Sequence, residues 1–170
     1  MSIQIIPLEK VVIDGVLISF GMKRDAVENA IGRGERVDDR YYYKNGELAI
    51  AYDREKRVEF VEFLGGSDGT LRPEIDGISV FEADADAFAA WLKEKNGGEW
   101  TDTERGYSYQ FEKISVGVYR ETTRADVTEM IAEMQADGIP TEGNEDVAEE
   151  MRKATHWATV GAGVAGYYRR

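Results

Sequence analysis

Cysteine is absent from this chain, and histidine occurs once, as His156. Without thiols there is no disulfide frame, no cysteine nucleophile and no thiolate metal site. A single imidazole leaves zinc without its usual ligands. Basic side chains are also outnumbered: 21 Lys and Arg stand against 33 Asp and Glu, a net charge of −12. That balance argues against nucleic acid, whose phosphates need cations to neutralise them, and against anionic membrane surfaces. No apolar run reaches the length of a membrane span, and Met1–Lys10 shows neither a basic n-region nor a long apolar core. The sequence therefore reads as cytoplasmic, with no signal peptide and no transmembrane helix.

What is present suffices for a folded core. Hydrophobic residues make up 42% of the 170 positions and aromatics 11%. A chain of this size can bury roughly 70% of its unfolded surface. The charge is uneven: residues 1–66 carry a net −2, and residues 67–124 and 125–170 carry −5 each. Such an excess either keeps a solvated surface soluble or forms a docking face for a basic partner.

The chain is organised around Tyr41–Leu64, which reads as a three-stranded antiparallel meander. Asn45-Gly46 predicts a hairpin turn with both residues at positive φ, and Asp53–Lys56 predicts the second turn. On the middle strand Leu48, Ile50 and Tyr52 share one face, and Ala49 and Ala51 the other. The order Val58-Glu59-Phe60-Val61-Glu62-Phe63 breaks strict alternation, which predicts a bulge or a strand covered on both sides. Upstream, Ile3–Ile6, Val11–Ile13 and Gly15–Phe20 read as apolar strands. A helix follows near Lys23–Ile31 with Val27, Ala30 and Ile31 on its apolar face. Gly65–Thr70 reads as a flexible joint. After it, Ile75-Asp76-Gly77 repeats Ile13-Asp14-Gly15, and Asp86-Ala87-Phe88 repeats Asp25-Ala26-Val27. Further on, Tyr107, Tyr109, Ile114, Val116, Arg120 and Glu121 align without gaps on Tyr41, Tyr43, Leu48, Ile50, Arg54 and Glu55. The expectation is an α+β protein built from two related units, 1–66 and 67–122, each a short helix on an antiparallel sheet. Residues 123–170 form a helical C-terminal extension. There Thr123 and Asp126 have capping-box spacing, Val127, Met130, Ile131 and Met134 make a stripe, and Asn144 caps a last helix with Val147, Met151, Ala154 and Ala158 facing inward.

No residue pattern here amounts to a catalytic set. Gly161, Gly163 and Gly166 match a dinucleotide-loop spacing, but too few residues follow for the helix and the distant acid that the motif needs. They read instead as small-residue packing at a helix end. His156 has no nucleophile motif beside it. The pairs Asp38/Asp39, Asp84/Asp86 and Glu149/Glu150 need no cleft; Asp84 and Asp86 read as caps of the second helix. No metal and no cofactor is implied. Aromatics among acids have the composition of a protein-binding patch. The candidate contact residues are Tyr41, Tyr42, Tyr43, Asp84, Glu94 and Trp100.

The stretch Ile18–Gly32, with Phe20-Gly21-Met22, the Tyr-rich strand after it and Arg57–Phe63, resembles a family of uncharacterised bacterial proteins in which such a helix precedes a short meander. Gly106–Phe111 and Val116–Glu121 look like that family's second half, so the resemblance spans residues 13–121. Lys23 stands where the family has Ser at the helix start. The units are also similar to β-lactamase-inhibitor-type repeats and to immunity proteins of toxin systems. The resemblance implies no catalytic residues. The charge, the aromatics and the lack of a catalytic set point to a non-enzymatic cytoplasmic protein-binding module, such as an immunity protein whose acidic, Tyr-bearing face blocks a basic toxin. The alternatives are a small-molecule binder or hydrolase, with a pocket joining Tyr52, Tyr119 and His156 between the units, and a self-associating structural domain.

Overall fold

Alternation of apolar and polar residues sets the first sheet. Ile3 and Ile5 face inward on strand β1 (Ile3–Ile6), as do Val11 and Ile13 on β2 (Lys10–Ile13) and Ile18 on β3 (Val16–Ser19). The computed structural model describes residues 2–170. Asp14 and Gly15, at φ 48° and 81°, close the β2–β3 hairpin in the two-residue turn whose twist matches its strands. The same turn recurs at Asp76-Gly77, between β8 (Pro73–Ile75) and β9 (Ile78–Ser79). These strands make one five-stranded sheet in the order β3-β2-β1-β8-β9, antiparallel except for the β1–β8 pair.

The second sheet holds seven strands. Between β3 and the meander lie helix α1 (Arg24–Ile31) and the edge strand β4 (Glu35–Val37). The meander follows as β5 (Arg40–Tyr43), β6 (Leu48–Tyr52) and β7 (Val58–Phe63). Asn45 and Gly46 do take positive φ, but Lys44 joins them, and the loop from Tyr43 to Leu48 has four residues rather than two. The register shifts between the pairs Ala51–Phe60 and Tyr52–Val58, so β7 carries a bulge at Glu59, one of the two outcomes that its broken alternation predicts. After helix α2 (Ala85–Lys95) come β10 (Ser108–Phe111) and β11 (Val116–Tyr119), then helices α3 (Arg124–Ala136) and α4 (Glu145–Ala154). The three caps read from sequence form: Asp84 accepts from Ala87 N at 3.0 Å, Asn144 from Asp146 N at 2.9 Å, and Thr123 and Asp126 make their reciprocal pair.

The C-terminal segment departs from a purely helical extension. α4 stops at Ala154, so Ala158 is not on its stripe, and Thr159–Gly163 forms strand β12. β12 lies between β11 and β7, giving the antiparallel order β10-β11-β12-β7-β6-β5-β4. Gly161 and Gly163 are therefore strand glycines, not the end of a helix. Hairpin-then-helix occurs twice, yet the two hairpins share one sheet and the two meander pieces share the other, so a two-unit repetition is not established. The four-residue loops at 44–47 and 112–115 bring Tyr43 and Phe111 into corresponding places, two residues off the ungapped alignment.

Core residues from both sheets, α1, α2 and the C-terminal segment merge in one cluster that includes Val27, Phe63, Phe88, Phe111 and Trp157. Gly65–Thr70, read as a joint, is clasped: Arg72 Nη1 donates to Gly69 O at 2.7 Å and Arg152 Nη1 to Ser67 Oγ at 2.6 Å. Among the described residues no helix is long and apolar enough to cross a membrane.

The Arg120 side chain, 5% exposed, ties these parts together. Its Nε donates to Gly106 O at 2.8 Å, and its Nη1 to Asp86 Oδ1 and Ala154 O at 2.9 Å each. The Arg120→Met substitution keeps the stem but strands those acceptors, and should cost about 3 kcal/mol in urea unfolding. Asp86→Asn, at a position 45% exposed, should cost about 1 kcal/mol or less. Equal losses in the two variants would refute this division.

Candidate functional site

The six residues proposed from sequence fall in several places. Tyr43 is 3% exposed, and its hydroxyl lies 2.9 Å from Glu28 Oε2 and 2.7 Å from Tyr52 Oη. It is a core residue and is withdrawn from the contact set: its strand turns every second ring inward. Burial pushes its hydroxyl upward, and that of Tyr52 up to about 12. Tyr41 packs edge-on to Tyr52 and accepts from Arg24 Nη1 at 2.5 Å; Tyr42 lies on the opposite face of the sheet. Asp84 and Glu94 sit at opposite ends of α2, Asp84 within 3.5 Å of Arg124. Trp100, 37% exposed, stacks on Tyr109 with ring centroids 4.2 Å apart and carries Lys93 over its outer face. They do not converge on one patch.

Charge converges elsewhere. α3 and α4 pack chiefly on each other. Val127 is the only buried residue of α3 and Ala154 the only one of α4, so the pair is anchored at its base and stands out toward its tip. Between residues 124 and 154 nine acids meet only Arg124, Arg152 and Lys153. That net −6 is half of the chain's −12. Met130, Ile131, Met134, Val147 and Met151 are only half-buried, and Ile139 at the tip is 45% exposed. The arm thus presents adaptable thioether surface framed by carboxylates.

Three depressions divide the residues that the pocket hypothesis would join. Tyr52 lines one, Tyr119 a second and His156 a third. At the last, His156 Nδ1 lies 2.7 Å from Arg152 O. A carbonyl only accepts, so Nδ1 holds the proton and the neutral ring's lone pair is on Nε2. Its cations are already matched, Arg152 by Glu149 at 2.7 Å and Lys153 by Glu150 at 3.5 Å. Ser67 Oγ accepts from Arg152. No activated nucleophile results.

The Tyr119 depression opens on the outer face of the seven-stranded sheet. Strand register sets Gln110, Gly117, Gly161, Glu62, Ala49 and Tyr42 in one row across six strands. The tail returns over this row. Tyr167 stacks on Phe60 with centroids 4.4 Å apart, and a Cβ built on Gly117 would lie 2.5 Å from Tyr168 Oη. Glycine is required there because an aromatic ring lies against the backbone. The signal was in the sequence: Val160 and Ala162 alternate with Gly161 and Gly163 at strand period. In the middle of the row, Glu62 makes no hydrogen bond or ion pair among the described residues, and burial raises its carboxyl above the ordinary glutamate range. Burial also raises the Tyr168 hydroxyl.

Compared with protein-family models, curated proteins and solved structures, the chain matches none of them. Function has to come from these residues themselves.

A raised carboxyl adds stability while protonated, below its unfolded value near 4.5, and that stability is lost as pH rises through the folded value. Glu62→Gln should therefore raise the urea midpoint at pH 7. The gain should shrink toward pH 4. Identical midpoints at neutral pH would mean that the carboxylate is fully solvated.

Proposed function

We propose that this chain is a non-enzymatic protein-binding module whose α3–α4 arm docks a basic protein, in the manner of a toxin-neutralising immunity protein. The observation that supports this reading is the concentration of net −6 on one projecting pair of helices, beside a half-covered methionine stripe. Carboxylates on an exposed arm steer a cationic partner during approach. The methionine stripe then supplies apolar contact that tolerates small mismatches in shape. Asp84 and Asp86 at the start of α2 extend the acidic surface to the foot of the arm, where Arg124 bridges both.

The test uses the protein encoded beside this one, with association rates measured at low and high salt. Glu129, Glu133 and Glu142 are exposed and away from the arm's ion pairs. Replacing all three by Gln should slow association roughly tenfold at low salt and flatten its salt dependence. Circular dichroism should be unchanged. No association with that protein at low salt, or an unaltered rate in the triple variant, would overturn the proposal.

A further inference from the structure

The outer trough carries a feature that packing does not require. Its floor is Gly117 and Gly161, with the Tyr168 ring over them and Tyr119, 40% exposed, on the rim. An alanine at position 62 would continue this surface with no charge to desolvate. Instead Glu62 places a carboxylate there, without a donor among the described residues. Arg40, the cation that its field reaches, is turned aside: it lies 4.8 Å over the Phe60 ring and donates to Tyr167 Oη at 3.3 Å. An ionised carboxylate offers about four acceptor sites, and those left dry cost free energy.

We propose that this trough binds an organic cation, an alkylguanidinium or alkylammonium head group, with Glu62 as its counter-charge. The head group donates to the Glu62 carboxylate. Ser108, Gln110 and Thr159, which line the same depression of about 130 Å³, add neutral acceptors around it. Tyr119 and Tyr168 present ring surface to the cation, an attraction that strengthens as water leaves. A planar guanidinium suits the site best, because its five donors lie in one plane and its faces stack on aromatic rings. Other occupants fit less well. No cation lines the depression to hold an anion, and no group of three His, Cys, Asp or Glu among the described residues could hold a metal ion. The site is separate from the acidic arm and does not depend on the arm's function.

This cation has two sources, a free amine or an arginine side chain of another protein. The test titrates the full chain with agmatine and, separately, with a blocked Gly-Arg-Gly peptide, following backbone amide resonances. Binding should shift the amides of Gly117 and Gly161. Glu62→Gln should weaken it about tenfold or more, the weight of one charge-assisted hydrogen bond. Tyr119→Ala, at an exposed rim position that cannot upset the core, should weaken it less. Agmatine binding more tightly than the peptide assigns a free amine; the reverse assigns an arginine side chain. Shifts confined to the α3–α4 arm, shifts equal in Glu62→Gln, or none with either probe would overturn the site. The triple Gln variant of the arm should bind at the trough unchanged, so failure of one proposal is not failure of the other.

Discussion

The guanidinium of Arg120 is the constraint on which the junction of sheets and helices depends. It leaves the end of β11 and satisfies three acceptors, on the loop before β10, the first turn of α2 and the last turn of α4. Two of these are helix ends: Asp86 adds its charge at the positive end of α2, and Ala154 O is an orphan carbonyl at the negative end of α4. The same guanidinium lies 4.8 Å over Trp157, whose indole donates to Ala85 O at 2.8 Å. A buried cation without these partners would be strongly unfavourable. With them, it fixes where the helical arm leaves the body.

Local rules carried much of this architecture, and their failures have a common cause. The three helix caps, the bulge in β7 and the inward face of β6 were legible because each rests on neighbours within a few residues. Strand β12 was not, because glycine weakens a strand wherever local propensity decides. Its glycines answer to Tyr167, Tyr168 and Phe60 on the face above. Arg120 and Glu62 were missed for the same reason. A cation beside Tyr119 and an acid between Val61 and Phe63 look like surface residues until the tail and α4 cover them. Tyr43 erred in the other direction, since a run of three tyrosines cannot say which ring turns inward.

The two charged features treat carboxylates in opposite ways. On α3 and α4 the acids stay in water, where they cost little and act over a Debye length. On the outer face one acid sits in a trough and keeps little of its hydration. The first arrangement sets up a field that reaches into solvent; the second leaves acceptor oxygens that only a close donor could reach.

Strand β12 also bears on how the chain comes to be folded. The fifth member from one edge of its sheet, and the third from the other, is the latest to be made in sequence order. While the ribosome is still delivering it, the flanks of β7 and β11 remain open ladders, able to pair with any extended segment nearby. Closure then joins residues about a hundred positions apart, a slow step compared with hairpin or helix formation. Nascent chains halted before residue 159 would hold two separate half-sheets, and would be the species most in need of a chaperone.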